Sequence, residues 1–564
     1  MRFKIFTILL FTISFGYSQN YDKNYFRLPV NIPVHLAGNF GEIRTNHFHS
    51  GIDIKVPFVG LPLYAAADGY ISRIRKSADG YGNALYIDHP NGLRTVYGHM
   101  HKFKKDIEKY AEAVEYKENK FEITLYPDST KFKVKKGDLI GYAGNSGRSY
   151  GPHVHFEIRE ADKDIPLNPE LFNFPIKDNI KPKFFYAEIV PLKKNASVNE
   201  KYEKQKFKTY YKNGKYYIPK IVKTKGDFGI AINANDYMNS VRNTQGIYSV
   251  KMFVDDTLYF SYQLNKISFY KTRYVNSFVD YAERQRTKKN FQKLWKEPGN
   301  HLNIYKITEN SGIISFSDNK IHKIKIQLTD CYNNSSFLFL RIKGGKPDKT
   351  MPDKKETVFK FDEDNYFVKP DFRASIKKGS LYTNTEVNFS SYPQKSDLYS
   401  DIYRLNSYLI PAHENIYYAI KPKNLPKNLI SKALLININK NGNYYSIGGT
   451  LVNGFIAGKC KCFGKFAVAV DTTPPVIELE KNIPENNYSD INQISFKISD
   501  NLSGIKSYNV TVDKKNIIFE YDAKNNKITY TFDNHITYKK EHQLILNVID
   551  KKNNKSVFKL TFFK

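Results

Sequence analysis

The feature that most limits the fold is an internal repeat in the part of the chain that follows residue 175. Asp178-x-x-x-Pro182 begins one copy and Asp471-x-x-x-Pro475 begins the other. The copies end alike, with "HKIKIQLTDCYNNSS" and "HQLILNVIDKKNNKS", in which Asp stands eight residues after His and Asn-Asn follows. Matches at several separated points indicate a repeated structural unit. Alternating runs that end in Asp, Asn or Gly turns predict immunoglobulin-like β-sandwiches.

The repeat also aligns two inner aspartates and sets off the segments that are not repeated. "GIYSVKMFVDD" follows Asp236 in the first copy, and "GIKSYNVTVDK" follows Asp500 in the second. The first copy carries an insertion near Ser277 to Lys296, whose apolar residues fit a helix that stops at Pro298-Gly299. Between the copies, patches such as "ALLININKNGNYYSIGG" predict a further β domain without indicating its fold.

Composition agrees with a mainly β protein of several domains. The 564 residues include 43 Tyr and 40 Phe, and the Val, Ile, Tyr and Phe content favours strands over helices. Lys and Arg number 87 against 56 Asp and Glu, a net charge of +31 that favours anionic partners or simply serves solubility. Since the lysines are spread along the whole chain, we expect no dedicated nucleic-acid binding.

The N-terminus predicts export. "MRFKIFTILLFTISFGYSQN" has Arg2 and Lys4, an apolar run from Ile5 to Phe15, and then small residues up to Ser18. This is the pattern of a signal peptide over residues 1–18. The apolar run is too short to span a bilayer, and no later transmembrane segment is evident. The expected location is therefore the periplasm, the cell surface or the medium.

The three cysteines do not suggest a disulfide framework. Cys460 and Cys462 would have parallel side chains on an extended strand, which disfavours a mutual bond. We therefore predict two thiols there, with a Cys-x-Cys metal pair as the alternative.

The stretch "GNSGRSYGPHVHFEIRE" offers two kinds of chemistry. Gly147 to Gly151 spells G-x-S-x-G, which in serine hydrolases needs a helix after the serine. Here Ser149 is followed by Tyr-Gly-Pro and the alternating "HVHFEIR", which indicates a loop entering a strand. The spacing therefore disfavours a serine nucleophile and draws attention to the histidines.

Those histidines lie on one face of the predicted strand. Residues two apart face the same side, so His153, His155 and Glu157 project together. Glu157 is predicted to orient a neighbour or to be structural, with a role as a base as the alternative.

Two further stretches supply matching groups. In "HFHSGIDI", His49 and Asp53 share a face, and Gly51 between them is expected to leave space for an ion. "TVYGHMH" places His99 on another alternating run. Imidazole and carboxylate are the ligands of a catalytic zinc ion, whereas structural zinc sites usually use cysteines, and none is near. Spacing alone leaves open whether His153 or His155 is the ligand.

The motifs "HSGID", "YGH" and "GPHVHFE", with "GDLIGYAGNSG" before the last, resemble the lysostaphin-type zinc metallopeptidases (family M23, the LytM domain). The resemblance covers roughly residues 30–170 and implies a small antiparallel β fold with one Zn²⁺ ion in a groove. It implies that His49, Asp53 and His155 are the metal ligands. It also implies that His99 and His153 handle protons and stabilise the transition state. The segment at about 104–134 departs from compact members as an inserted helix and strand beside the groove.

The expected organisation is a signal peptide (1–18), a peptidase domain (19–175), an immunoglobulin-like sandwich with a helical insertion (176–346), a β-rich domain (347–470) and a second sandwich (471–564). The expected function is an exported zinc endopeptidase that cuts peptide cross-links of bacterial peptidoglycan, with the trailing domains binding anionic wall or surface glycans. The alternative is a non-catalytic LytM scaffold that binds the wall and activates amidases. A third hypothesis treats the sandwiches as the main function, an adhesin with an attached peptidase, so that deleting residues 176–564 would abolish binding but spare hydrolysis.

Overall fold

A computed structural model describes residues 21–239, 242–347 and 357–564 of the chain. The predicted signal peptide lies outside the described residues. The fold is mainly β, as predicted, and four large apolar cores follow one another along the chain. Among the described helices, none has the length and apolar character needed to cross a membrane.

The first unit is an antiparallel sheet built around one buried strand. His153–Glu160 pairs with Ile52–Lys55 on one side and with Leu93–Phe103 on the other. The remaining strands of the unit are Leu36–Gly38, Ile43–Arg44, His47–Phe48, Pro62–Tyr64, Gly69–Lys76, Asn83–Asp88, Ile123–Leu125, Lys133–Val134, Leu139–Ala143 and Ile165–Leu167, and a 3-10 turn spans Pro169–Leu171. Because the central strand is paired on both edges, its register determines which residues of the two neighbouring strands lie opposite its own residues.

The segment inserted after Leu93–Phe103 begins with the helix Lys105–Glu118. Asp106 and Glu108 lie in its first turn, where the helix dipole favours acidic residues, and it ends at Asn119 in the left-handed conformation. Glu115 on its buried face forms an ion pair with Lys76 at 2.9 Å. The helix also contacts the C-terminal sandwich, because the ring of Tyr116 stacks on His535 at 3.9 Å.

The second unit is a sandwich of two sheets that share one core. One sheet contains Lys183–Pro191, Gln205–Lys208, Phe228–Tyr237, Thr244–Gln245 and Gln292–Lys293, and the other contains Ser197–Val198, Tyr210–Lys212, Lys215–Tyr217, Val222–Lys225, Ser249–Val254, Thr257–Gln263, Tyr305–Thr308, Ile321–Thr329 and Ser335–Lys343. Phe40 and Phe48 from the first unit are buried in this second core. The two units therefore share apolar packing rather than only a linker.

The helix expected in the insertion is confirmed only in its first part and does not continue to Pro298. Three short pieces, Thr272–Tyr274, Val275–Phe278 and Tyr281–Thr287, are helical, and the last ends at Lys288 in the left-handed conformation. The chain then continues as the strand Gln292–Lys293, which pairs with Phe228–Tyr237. Phe291 and Trp295 pack in a small apolar cluster at this edge, so tertiary burial overrides the helical pattern.

The third unit, between the repeats, is another two-sheet β structure. Its strands are Val358–Phe359, Asn365–Val368, Phe372–Ile376, Thr385–Glu386, Phe389–Tyr392, Ile402–Leu405, Pro411–Ile420, Ala433–Ile438, Tyr444–Gly448, Thr450–Val452, Phe455–Cys462 and Gly464–Val470, with a 3-10 turn at Lys427–Lys432. The prediction of two thiols is wrong, because Cys460 and Cys462 form a disulfide. Their Cα atoms are 5.4 Å apart, within disulfide range, because the strand leaves regular pairing where its register with Pro411–Ile420 shifts.

The fourth unit is a sandwich of two four-stranded sheets around one core. Its strands are Val476–Leu479, Gln493–Ser499, Ile505–Val512, Lys515–Ile517, Glu520–Asp522, Lys527–Thr531, Glu541–Asp550 and Lys555–Phe563, with a 3-10 turn at Pro484–Asn486. The second unit has a further 3-10 turn at Glu309–Gly312. The repeat has matching contacts: Asn334 donates to the carbonyl of Asp178 at 3.2 Å, and Asn554 donates to that of Asp471 at 3.0 Å. The paired asparagines thus tie the end of each copy to its start.

Candidate metal centre

Strand register brings the predicted residues together. Asp53 and His155 stand directly opposite each other on neighbouring antiparallel strands, and Gly98 faces His155 from the other side. His99 follows in the left-handed conformation with φ of 60°, where the pairing of its strand with Asn83–Asp88 is irregular. Such a conformation is unfavourable for a residue with a side chain and is typical of bulges at functional sites. The local distortion turns His99 out of the regular alternation.

Three ligand atoms converge in the centre. His49 Nε2 lies 3.0 Å from both Asp53 Oδ1 and His155 Nδ1, and His155 Nδ1 lies 2.8 Å from Asp53 Oδ1. All three side chains are buried. We call these three residues the metal triad. His49, Asp53 and His155 thus form one cluster that could hold a single ion.

The outer hydrogen bonds decide which atoms of the triad carry protons. His49 Nδ1 donates to the carbonyl of Asn39 at 2.8 Å, and His155 Nε2 donates to Glu157 at 2.7 Å. The inner nitrogens of the neutral rings and the Asp53 oxygen are therefore all lone-pair atoms aimed at one point. Such an arrangement needs a cation, and two imidazoles with one carboxylate are a donor set that zinc accepts.

Charges around the triad differ between its members. Burial would raise the pKa of Asp53, but His49 and the hydrogen bonds from His153 and His155 hold it well below its ordinary value. The guanidinium of Arg44 also contacts the second oxygen of Asp53 at 2.6 Å. Burial lowers the pKa of His49 to about 4, whereas hydrogen bonds with Asp53 and Glu157 outweigh burial and raise that of His155 to about 9. Without a metal ion, a proton on His155 supplies the missing positive charge.

His99 and His153 lie beside the triad with their rings 4.7 Å apart. Nδ1 of His99 donates to the carbonyl of Ser146 at 2.8 Å, and Nδ1 of His153 donates to that of Gly151 at 2.8 Å. In His99 this leaves Nε2 as an acceptor, and Nε2 of His153 lies 3.5 Å from Asp53 Oδ1. Burial, helped by the two neighbouring histidines, lowers the pKa of His99 to about 3, so this ring is neutral at ordinary pH.

Glu157 is fully engaged by donors. One oxygen accepts from His155, from Ser50 at 2.7 Å and from Tyr81 at 2.6 Å, and the other accepts from Arg159 at 2.6 Å. Burial would raise its pKa, but the charge of Arg159 and the hydrogen bond with His155 hold it well below the ordinary value. A carboxylate with these partners can orient His155, which is the predicted role, and is poorly placed to act as a base.

The structure bears on two local expectations, the space at Gly51 and the role of Ser149. Gly51 does not leave space for an ion: a Cβ there would lie 2.3 Å from the carbonyl oxygen of Phe156, so glycine is required by close approach of two strands. Ser149 is buried, and the strand His153–Glu160 follows it in place of the helix that a nucleophile elbow needs. Its hydroxyl donates to the carbonyl of Gly151 at 3.0 Å, beside His153.

Sequence reasoning missed the groups that support the triad. Asn39 and Arg44 contact His49 and Asp53, but no spacing rule links them to these residues. Arg159 could have been found, since it continues the two-residue alternation that joins His155 and Glu157. Tyr81 comes from a turn distant in sequence, and only the folded sheet brings it to Glu157.

A buried triad of one carboxylate and two imidazoles, flanked by two further histidines on a small antiparallel sheet, is typical of a metal-dependent hydrolase domain. Comparison with known families gives the class a name. Residues 47–118 and 123–169 match Peptidase family M23, and residues 356–471 match the Zu5-like domain. The N-terminal domain is thus a peptidase M23 domain of the LytM type.

Curated relatives match the same part of the chain. The DD-carboxypeptidase/endopeptidase Mpg of Neisseria meningitidis serogroup B is 31% identical over 153 residues, which is 26% of this chain and 29% of that protein. Peptidoglycan DD-endopeptidase ShyA of Vibrio cholerae is 28% identical over 189 residues, 31% of this chain and 37% of that protein. A solved zinc-containing peptidase from Vibrio cholerae is 27% identical, with a TM-score of 0.20, over 26% of this chain and 39% of that chain. The chain thus spans about a third of the length of these relatives.

Proposed function

We propose that the protein is an exported zinc-dependent endopeptidase that cleaves peptide cross-links of bacterial peptidoglycan. The observation that carries the proposal is the metal triad, in which three buried ligand atoms within 3.0 Å of one another form a donor set suited to one zinc ion. The names of the relatives Mpg and ShyA support peptidoglycan peptides as the substrate class. The net charge of +31 suits an anionic wall, and the trailing β domains are proposed to bind wall or surface glycans.

The residues of this chain would divide the chemistry as follows. His49, Asp53 and His155 would hold the ion, and a bound zinc ion supplies a Lewis acid that polarises a peptide carbonyl and acidifies water. His99 presents a neutral ring whose Nε2 atom can accept a proton, as a general base must. His153 would handle a proton through Nε2, which faces Asp53. The ring that has accepted the proton becomes a donor, to the developing oxyanion or to the leaving amine.

Zymography on purified peptidoglycan tests the proposal. His49→Ala removes one ligand of the triad and is expected to abolish clearing of the substrate. His47→Ala is the matched control, because the His47 side chain is exposed and its Nδ1 contacts the carbonyl of Thr45 at 2.8 Å, away from the triad. It should retain full activity.

The scaffold alternative predicts a different pattern in the same experiment. A non-catalytic wall-binding protein would clear no substrate by itself, and His49→Ala would behave as the unaltered protein does. Metal analysis after purification gives a second readout, since the endopeptidase should carry about one zinc ion per chain. Equal behaviour of both proteins in the two assays would contradict the catalytic proposal.

A further inference from the structure

A cluster of buried carboxylates lies where the segment after the peptidase domain meets the first sandwich. Asp178, Asp236 and Asp330 each offer an oxygen within 4.8 Å of the others. They come from the start of the repeat, from the strand Phe228–Tyr237 and from the residue after Ile321–Thr329. Glu170, in the 3-10 turn that ends the peptidase domain, lines the same cavity of about 600 Å³ as Asp178. We call these four residues the carboxylate cluster.

Three oxygens of this cluster are buried without any hydrogen-bond donor among the described residues: Asp178 Oδ2, Asp236 Oδ1 and Glu170 Oε2. Asp236 is 3% exposed and Glu170 is 8% exposed, so water cannot compensate them freely. Within the described part of the chain, no lysine or arginine forms an ion pair with any of the four. Buried carboxylates without partners are costly, and an ion is one of the few ways to satisfy several at once.

The geometry selects a hard cation. Ca²⁺ binds oxygens at about 2.3–2.6 Å, so one ion can bridge oxygens up to roughly 5 Å apart. The oxygens of Asp178, Asp236 and Asp330 lie within that reach of one another. Cys331 is the adjacent soft atom, but burial raises the pKa of its thiol well above the ordinary value, so it stays protonated. Asn334 donates to Asp330 at 2.7 Å and to the carbonyl of Asp178, which holds two members in place before any ion binds.

We propose that Asp178, Asp236 and Asp330 bind one Ca²⁺ ion, with the carboxylate of Glu170 beside them, and that the ion fixes the first sandwich to the peptidase domain. The site lies apart from the metal triad and uses different residues. Its link to the peptidase domain is direct, because Glu170 lies in the 3-10 turn Pro169–Leu171 that ends that domain. The predicted role is structural, and it does not depend on hydrolysis.

The second copy of the repeat provides an internal comparison. Asp471, Asp500 and Asp550 form the equivalent cluster, and Asp500 also has an oxygen without a donor. In this copy, however, Lys552 stands at the position of Tyr332, and its ammonium acts electrostatically on both Asp471 and Asp550. The ammonium donates to the carbonyls of Ala433 and Gly449, so the second copy has a lysine near its carboxylates where the first copy has a tyrosine.

The competing state of the first cluster is protonation. Burial, followed by the charge of Asp330, raises the pKa of Asp236 to about 9, and burial raises that of Glu170 to about 8. Protons and Ca²⁺ would compete for the same oxygens, so a calcium titration decides between the two states.

The experiment uses the full chain, stripped of metal and reloaded with one equivalent of ZnCl₂, so that the metal triad is filled first. CaCl₂ is then added in thermal denaturation and in calorimetric titration. We expect one Ca²⁺ per chain and a Tm that rises with Ca²⁺ concentration. Asp236→Asn should lose both effects, and Glu170→Gln should bind at least tenfold more weakly.

Asp500→Asn is the matched control, because it makes the same change at the equivalent position of the second copy. It should keep the calcium-dependent rise in Tm. A Tm of the unaltered protein that is the same with and without CaCl₂ would overturn the proposal. Loss of the effect in Asp500→Asn with retention in Asp236→Asn would overturn the assignment to the first copy. Neither result depends on hydrolytic activity, so failure here leaves the endopeptidase proposal standing.

Discussion

Replacing Glu157 by glutamine tests whether the hydrogen bond behind His155 tunes the metal triad. Glu157 Oε1 accepts from His155 Nε2 at 2.7 Å, while Oε2 accepts from Arg159 at 2.6 Å. The side-chain oxygen of a glutamine can keep the contact with His155. Its NH₂ group then faces the N–H of Arg159, so that two hydrogen-bond donors meet without an acceptor. The change also removes the negative charge that makes the His155 ring more basic and thus a better ligand.

The magnitude follows from the loss of this outer support. Removing such a partner typically weakens metal affinity 10–100-fold, which corresponds to about 1.4–2.7 kcal/mol. The fold should survive, because Arg159 keeps its ion pair with Asp164 at 3.0 Å. Competition with a chromogenic zinc chelator measures the change in Kd directly, and hydrolysis of peptidoglycan should fall in parallel at limiting zinc.

Glu160→Gln is the control on the same strand. Glu160 pairs with Lys266 at 2.8 Å, away from the triad, so this substitution should leave the zinc Kd unchanged. If Glu157→Gln binds zinc within twofold of the unaltered protein, the orienting role assigned to Glu157 is refuted.

Three further predictions concern the triad and the contacts between domains. The pKa of His155 is raised to about 9 without metal, so zinc must displace a proton below pH 9, and the apparent zinc affinity should fall about tenfold per pH unit from pH 8 to pH 6. Calorimetry in buffers of different ionisation enthalpy counts the released proton. A zinc affinity that does not change with pH would contradict this prediction. Phe40→Ala should cost about 3–5 kcal/mol in urea denaturation, because Phe40 is buried in the second core, whereas Phe58→Ala, at a side chain 55% exposed, should cost less than about 0.5 kcal/mol. Lys524→Ala should lower kcat severalfold with little change in KM, because Lys524 donates to the carbonyl of Asn145 at 2.5 Å, next to the Ser146 carbonyl that orients His99. The control Lys527→Ala, which removes an ion pair with Glu480, should leave kcat unchanged. Equal kcat values for Lys524→Ala and the unaltered protein would argue against this positioning role.

The sequence predicted the parts of the fold that depend on local alternation. The strand at His153 and the β character of all four units follow from period-two patterns, which tertiary packing reinforces. The helix expected near Ser277 ends at Thr287 and does not reach Pro298, because Phe291 and Trp295 are buried along a sheet edge, a contact that no local pattern reveals. The disulfide of Cys460 was missed for a similar reason, since it depends on an irregular end of a strand.

The candidate site was predictable to a comparable depth. His153, His155 and Glu157 could be grouped by alternation, but the choice of His155 over His153 as ligand came only from the family resemblance. The structure gives this choice a physical reason. His155 is paired directly opposite Asp53, while His153 has its nearest contact to Asp53 through Nε2 at 3.5 Å. Cross-strand register, which is set by the whole sheet, therefore separates the two histidines where spacing could not.

Removing residues 176–564 would not isolate an intact peptidase, contrary to the hypothesis that such a deletion spares hydrolysis. Phe40 and Phe48 would lose the core in which they are buried. Asn39, whose carbonyl fixes the tautomer of His49, would also lose the two hydrogen bonds that its side chain makes with Gly246 of the first sandwich. The deletion would thus expose apolar surface and loosen a ligand of the triad at the same time. We expect the truncated protein to bind zinc more weakly than the full chain, and zinc titration of both proteins measures this; equal Kd values would show that the triad is independent of the sandwich.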